Sequence, residues 1–159
     1  MNFLQIVFAV VLAAAMSQCD DSTSQTDQDD RSTAIGQSLY GDVATKISNG
    51  EKVSDSFQMM DARIEGTDLL VEVGYGGGCE PHSFELLWPE VITMIYPPQF
   101  NVILIHYANG DQCEAYLNET LTFDLKSGEM KLDDGTIKIM DLGVMNGSNS
   151  EQILYPNAK

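Results

Sequence analysis

Two short segments hold the residues of this sequence that could do chemistry. The first contains Cys79 and His82, and the second contains His106, Asp111 and Cys113. Together they include both histidines of the chain and two of its three cysteines. Each segment lies beside glycine-containing turn sequence of the kind that ends strands. If Cys79 and Cys113 form a disulfide, we expect His82 and His106 to come within side-chain reach of the same edge.

Several kinds of site fit these residue types. The interpretation we favour is a disulfide flanked by histidines that hydrogen-bond the local backbone. A zinc site is the alternative, because Cys79 and His82 have the Cys-x-x-His spacing of zinc sites, and His106 with Cys113 or Asp111 could complete a tetrahedral set if the cysteines are reduced. A variant keeps the disulfide and places zinc or copper on His82, His106 and Asp111. A redox-active thiol pair would need the Cys-x-x-Cys spacing, which is missing here.

Hydrolytic chemistry has little support in the sequence. The chain contains no Gly-x-Ser-x-Gly turn, which is the usual setting of a nucleophilic serine in α/β-hydrolases. Ser83 follows His82 directly, so on a strand the two side chains point to opposite faces and cannot pair as nucleophile and base. We therefore predict no catalytic residue and no enzyme activity.

The N-terminus has the pattern of an export signal. Residues 3–16 form an uncharged apolar run, shorter than the roughly 20 residues that span a bilayer. The run leads to Cys19, which predicts cleavage after residue 18 and lipidation of Cys19. Cleavage after Ala15 is the alternative and would give a freely secreted or periplasmic protein. With Cys19 lipidated, Cys79 and Cys113 remain as a pair in an oxidising compartment, where a disulfide is the default.

Composition indicates a tethered acidic domain. Residues 19–37 are rich in Asp, Ser, Thr and Gln, which predicts a flexible tether after the lipidated cysteine. Residues 38–159 are then expected to form a single domain. The formal net charge of −16 disfavours nucleic acid and favours cations, basic proteins or uncharged ligands such as glycans. We expect a monomer that contacts the membrane through its lipid anchor only.

Apolar residues alternate with a period of two over most of the domain, which predicts short strands. A short amphipathic segment at 39–47 precedes them. The predicted strands are 57–64, 69–75, 82–88, 100–107, 119–125, 136–140 and 152–155. About seven strands at this spacing predict an all-β fold, an antiparallel β-sandwich that is Ig-like in a loose sense, with a small β-barrel as the alternative.

Strand alternation also predicts where the histidines lie. His82 shares an apolar face with Phe84, Leu86 and Trp88, so it is expected at the rim of the core. Both faces of the 100–107 strand are apolar, which indicates a central strand. His106 lies near the end of that strand.

The residues Gly77-Gly78-Cys79-Glu80-Pro81-His82, followed by Leu104-Ile105-His106 and Asp111-Gln112-Cys113, resemble a pattern found in small bacterial envelope lipoproteins of uncharacterised function. The resemblance extends through Leu121-Thr122-Phe123-Asp124-Leu125. It implies an anchored envelope or surface protein and brings no known activity or substrate. We therefore predict a non-enzymatic binding or structural module with a protein, peptide or glycan partner, and a zinc- or copper-binding protein as the alternative.

Overall fold

The computed structural model describes residues 30–157 except Val91, Thr93 and Met94. The predicted signal, Cys19 and residues 20–29 of the predicted tether lie outside the described residues. Within them the elements are α1 (Asp30–Ser48), β1 (Phe57–Glu65), β2 (Asp68–Gly77), β3 (Ser83–Leu87), β4 (Gln99–Tyr107), β5 (Ala115–Asp124), α2 (Asp134–Ile139), β6 (Asp141–Asn146) and β7 (Asn149–Leu154).

The seven strands in the described part of the chain form two sheets. Sheet A has the order β1-β2-β5, and sheet B has the order β3-β4-β6-β7. The fold is therefore the predicted all-β sandwich. Its strand pairs are antiparallel with the exception of β4 and β6, which run parallel. The long connection through β5 and α2 makes this possible, because parallel neighbours need a crossover rather than a tight turn.

Sheet B is covered on both faces. Its inner face packs against sheet A around Leu69, Val71, Val102, Leu104 and Val144, each of which is fully buried. Its outer face packs against α1, where Val43 meets Leu87, Ile103 and Ile105. Strand β4 lies between β3 and β6 and is buried on both faces, which confirms that it is a central strand.

Helix α1 contains the predicted amphipathic segment and begins before it. Tyr40, Val43, Ala44 and Ile47 recur at helical spacing and pack against sheet B, so docking of this stripe stabilises the helix. Because α1 starts at Asp30, it overlaps the last eight residues of the segment that composition assigns to the tether. Neither helix in the described part of the chain combines the length and apolar character that crossing a membrane requires.

The strand predicted at 136–140 is wrong, because most of this segment belongs to α2. Asp133 caps the helix, and its side chain accepts hydrogen bonds from the backbone N–H groups of Gly135 and Thr136. Ile137 and Met140 are three residues apart and both buried, which is the spacing of one helix face. Strand β6 follows directly at Asp141–Asn146 and was not predicted from the sequence.

Candidate functional site

Two loops cross between the sheets at one end of the sandwich, and they carry the predicted site. One joins β2 of sheet A to β3 of sheet B, and the other joins β4 of sheet B to β5 of sheet A. A disulfide between Cys79 and Cys113 ties the loops together, with their Cα atoms 5.9 Å apart. Asn109 adds a second link, since its side-chain amide donates to the carbonyl of Pro81 at 2.6 Å.

Beside the disulfide, three side chains form a continuous line of hydrogen bonds that we call the polar clamp: Asp111, His82 and His106. The Oδ2 atom of Asp111 lies 3.1 Å from Nε2 of His82. The Nδ1 atom of His82 lies 2.8 Å from Nε2 of His106. The side chains of His82 and Asp111 are 4% and 0% exposed, and His106 is 1% exposed. The sequence predicted that these residues lie at the same edge, and the structure places them in direct contact.

Asp111 also organises the backbone of both loops. Its Oδ2 atom accepts the N–H groups of Gly78, Cys79 and Glu80 at 2.7–2.9 Å. Its Oδ1 atom accepts the N–H of Cys113 at 2.8 Å. The backbone hydrogen bonds from Glu80 and Cys113 are the main causes that lower the pKa of the Asp111 carboxyl well below its usual range, because they favour the ionised form.

A glycine makes room for the clamp. Gly77 has a φ of +148°, and a Cβ atom at this position would collide with the imidazole of His82 and come within 2.9 Å of Asp111 Oδ2. The backbone of β2 can approach both groups because residue 77 has no side chain.

Aromatic rings surround the inner histidine. The ring centroids of Phe84, Tyr75 and Phe57 lie 4.5, 5.0 and 5.8 Å from that of His106. Phe84 comes from sheet B, whereas Tyr75 and Phe57 come from sheet A. His106 is thus a polar end of the core between the sheets, and burial together with nearby His82 lowers its pKa.

The ionised carboxylate orients the ring of His82. Asp111 can only accept, so Nε2–H of His82 donates to it. The Nδ1 atom of His82 and the Nε2 atom of His106 share one hydrogen bond. The Nδ1 atom of His106 is buried and has no hydrogen-bond partner among the described residues. The clamp is therefore closed at Asp111 and ends at a buried ring nitrogen of His106.

We expect the free energy of unfolding to decrease as the pH falls below about 6.5. In the unfolded chain His106 takes up a proton near its ordinary pKa of 6.5, whereas its lowered pKa in the folded protein resists that proton. The contribution of neutral His106 to the free energy of unfolding is therefore complete above about pH 6.5 and is lost as the pH falls toward its lowered pKa in the folded protein. Urea unfolding at several pH values from 7.5 to 5.5 measures this slope. In His106→Gln the slope should flatten, and an unchanged slope would contradict the assignment to His106.

As arranged, these residues do not fit the zinc or copper site that the sequence also allowed. The sulfurs of Cys79 and Cys113 lie near Asp111, but they are bonded to each other and are not thiolates. Two histidine nitrogens on one tetrahedral zinc would be about 3.3 Å apart, given Zn–N bonds of about 2.05 Å. The facing nitrogens of His82 and His106 are 2.8 Å apart, which is a hydrogen-bond distance. The nitrogen and oxygen atoms that could bind a metal are instead hydrogen-bonded to one another.

No family model and no curated protein matches this chain. A solved structure with partial similarity is a protein of unknown function, DUF1344, from Bacteroides vulgatus ATCC 8482. The TM-score is 0.46 with 15% sequence identity, and the similarity covers 70% of this chain. The chain spans about half the length of that protein, since 51% of it is covered.

A cleft that sequence reasoning missed lies on the outer face of sheet B, away from the clamp. It has a volume of about 420 Å³, and its lining consists of Gln99, Phe100, Asn101, Asp141, Leu142, Tyr155 and Asn157. We call it the Tyr155 cleft. These residues come from the starts of β4 and β6 and from the segment after β7. Their wide separation in sequence explains why no local motif marks them.

Proposed function

We propose that this chain is a lipid-anchored, non-enzymatic module of the bacterial cell envelope that binds a partner or ligand. The observation that carries the proposal is the closed polar clamp beside the Cys79–Cys113 disulfide, which together we call the Cys/His site. Its side chains bond one another and the loop backbone, and they leave no paired nucleophile and base facing solvent. The most chemically reactive side chains of this site therefore serve to hold two loops together.

Export is supported by the disulfide. A bond between Cys79 and Cys113 is typical of oxidising compartments outside the cytoplasm. It also accounts for two of the three cysteines and leaves Cys19, which follows the apolar run at the N-terminus. Lipidation of Cys19 would hold the domain at a membrane surface through the acidic segment that follows.

Expression of the full chain in a bacterial host tests this proposal. The wild-type protein should be found in the membrane fraction, and its intact mass should correspond to a mature chain that begins at a lipid-modified Cys19. Cys19→Ala should carry no lipid, and after the alternative cleavage behind Ala15 it should move to the soluble fraction, because both the lipid and the apolar run are then absent. Ser17→Ala is a matched control that keeps the cysteine and should stay with the membrane.

Two results would overturn the proposal. A mature wild-type chain that begins at Met16 without lipid would show cleavage after Ala15 and a freely secreted protein. Stoichiometric zinc or copper in the same preparation, lost separately in His82→Ala and His106→Ala, would make metal binding the function of the clamp.

A further inference from the structure

The parallel pairing of β4 and β6 builds the Tyr155 cleft. It sets Gln99 beside Asp141 and Asn101 beside Gly143. The side-chain amide of Gln99 donates to Oδ2 of Asp141 at 3.1 Å. One wall of the cleft is therefore a bonded amide and carboxylate pair.

Gly143 allows the other polar and aromatic groups to lie close to the sheet. A Cβ atom on this residue would collide with the side-chain amide of Asn101 and would lie 3.2 Å from Cε1 of Tyr155. A residue with any side chain here would push both groups away from the strand. The absence of a side chain therefore gives the cleft its shape, and it explains a glycine in the middle of a strand, where glycine is otherwise unfavourable.

Some polar side-chain atoms at the cleft have no hydrogen-bond partner among the described residues. The side-chain amide of Asn157 donates to the carbonyl of Met140 at 2.7 Å, but its Oδ1 atom is buried without a partner among the described residues. The backbone carbonyl of Asn101 accepts from Tyr40 Oη at 2.9 Å, and its side-chain amide makes no hydrogen bond to another described residue. The side-chain amide of Asn101 and the carboxylate of the exposed Asp141 are thus the polar groups that the cleft offers to a ligand.

The negative charge of the chain and the exposed ring of Tyr155 indicate which class of ligand fits the cleft. Asp141 is the only charged residue among those lining the cleft that the structure describes, and the chain has a formal net charge of −16. Both disfavour an anionic ligand. Tyr155 is 55% exposed, so a face or edge of its ring is open to an apolar surface. A ligand with an apolar face and hydroxyl groups around its edge matches this combination.

We propose that the Tyr155 cleft binds a neutral saccharide. The ring of Tyr155 packs against the C–H face of one sugar ring, and Asn101 and Asp141 hydrogen-bond its hydroxyl groups. The volume of about 420 Å³ is in the range of about 300–1,000 Å³ typical of small-molecule sites. This inference rests on the proposed role as a binding module and names the ligand class of that role.

Isothermal titration calorimetry on the full-length expressed protein, purified from membranes in detergent, tests the inference. The probes are the neutral tetrasaccharides cellotetraose, maltotetraose, xylotetraose and chitotetraose, with tetragalacturonic acid as the anionic comparison. We expect saturable binding of at least one neutral probe and none of the anionic one. Tyr155→Ala should weaken that binding by about tenfold or more, whereas Tyr155→Phe, which keeps the ring, should stay within about threefold of wild type.

Tyr116→Ala is the matched control. Tyr116 is 60% exposed but lies on β5 of sheet A, so its removal should leave the affinity unchanged. Melting temperatures of all variants should agree with wild type, since these side chains lie at the surface. No saturable heat from any neutral probe, or an equal loss in Tyr116→Ala and Tyr155→Ala, would overturn the saccharide assignment. A failure of the saccharide assignment would leave the proposed lipid anchor untouched. The intact mass and the membrane fractionation of the same preparation test the anchor independently.

Discussion

Loss of the Cys79–Cys113 disulfide should lower the free energy of unfolding by about 3–4 kcal/mol, according to the loop-entropy model for a bridge across 34 residues. The bridge restricts the unfolded chain, because it joins two segments that are distant in sequence. In the folded protein it ties together the two loops that cross between the sheets. For a domain of this size the loss corresponds to a decrease in melting temperature of roughly 10–15 °C.

Thermal unfolding with and without a reducing agent measures this effect. The double variant Cys79→Ser/Cys113→Ser should melt at the temperature of the reduced wild type, and it should not respond to the reducing agent. This internal control separates the disulfide from other effects of the reductant. Equal melting temperatures for oxidised and reduced wild-type protein would contradict a stabilising role of the bridge.

Asp111→Ala should produce the second large loss of stability. The substitution removes the acceptor of the backbone N–H groups of Gly78, Cys79, Glu80 and Cys113, and it leaves His82 without its carboxylate partner. The side chains of Asp111 and His82 are 0% and 4% exposed, so the substitution breaks a shielded set of hydrogen bonds and leaves an unfilled space, which destabilises the folded state. We expect a decrease in melting temperature of roughly 10 °C or more.

Asp124→Ala is the matched control for this experiment. Asp124 also accepts hydrogen bonds within its own loop, from the N–H of Lys126 and the hydroxyl of Ser127, but it is exposed at the end of β5. Its loss should cost clearly less than the loss of Asp111. Similar melting temperatures for the two variants would indicate that the contacts of Asp111 are not specially stabilising.

The pH dependence of Asp111→Ala provides a further readout. The lowered pKa of Asp111 means that the folded protein holds the ionised carboxylate more strongly than the unfolded chain does. Its contribution to stability is present above the ordinary pKa of 3.8 and is lost as the pH falls toward the lowered folded value. Wild-type protein should lose this part of its stability in acid, and Asp111→Ala should lack that part of the acid dependence at pH values below about 4.

The helix at α2 illustrates where sequence reasoning failed. Ile137 and Ile139 are two residues apart, which suggested a strand, yet Ile137 is buried while Ile139 is 39% exposed. The side chain of Asp133 caps the helix that replaces the predicted strand. A short apolar segment fits either period, so the choice depended on the cap and on the packing of Met140.

The sequence by itself determined the strand alternation, the central position of β4 and the two segments that form the Cys/His site. Those features depend on local residue spacing and on the number of cysteines, so they can be derived without coordinates. Only the tertiary structure decided that His82 and His106 bond each other, that Asp111 holds four backbone N–H groups, and that β4 and β6 run parallel to build the Tyr155 cleft. These depend on which loops and strands become neighbours, and that is set by the packing of the whole sandwich rather than by any local pattern.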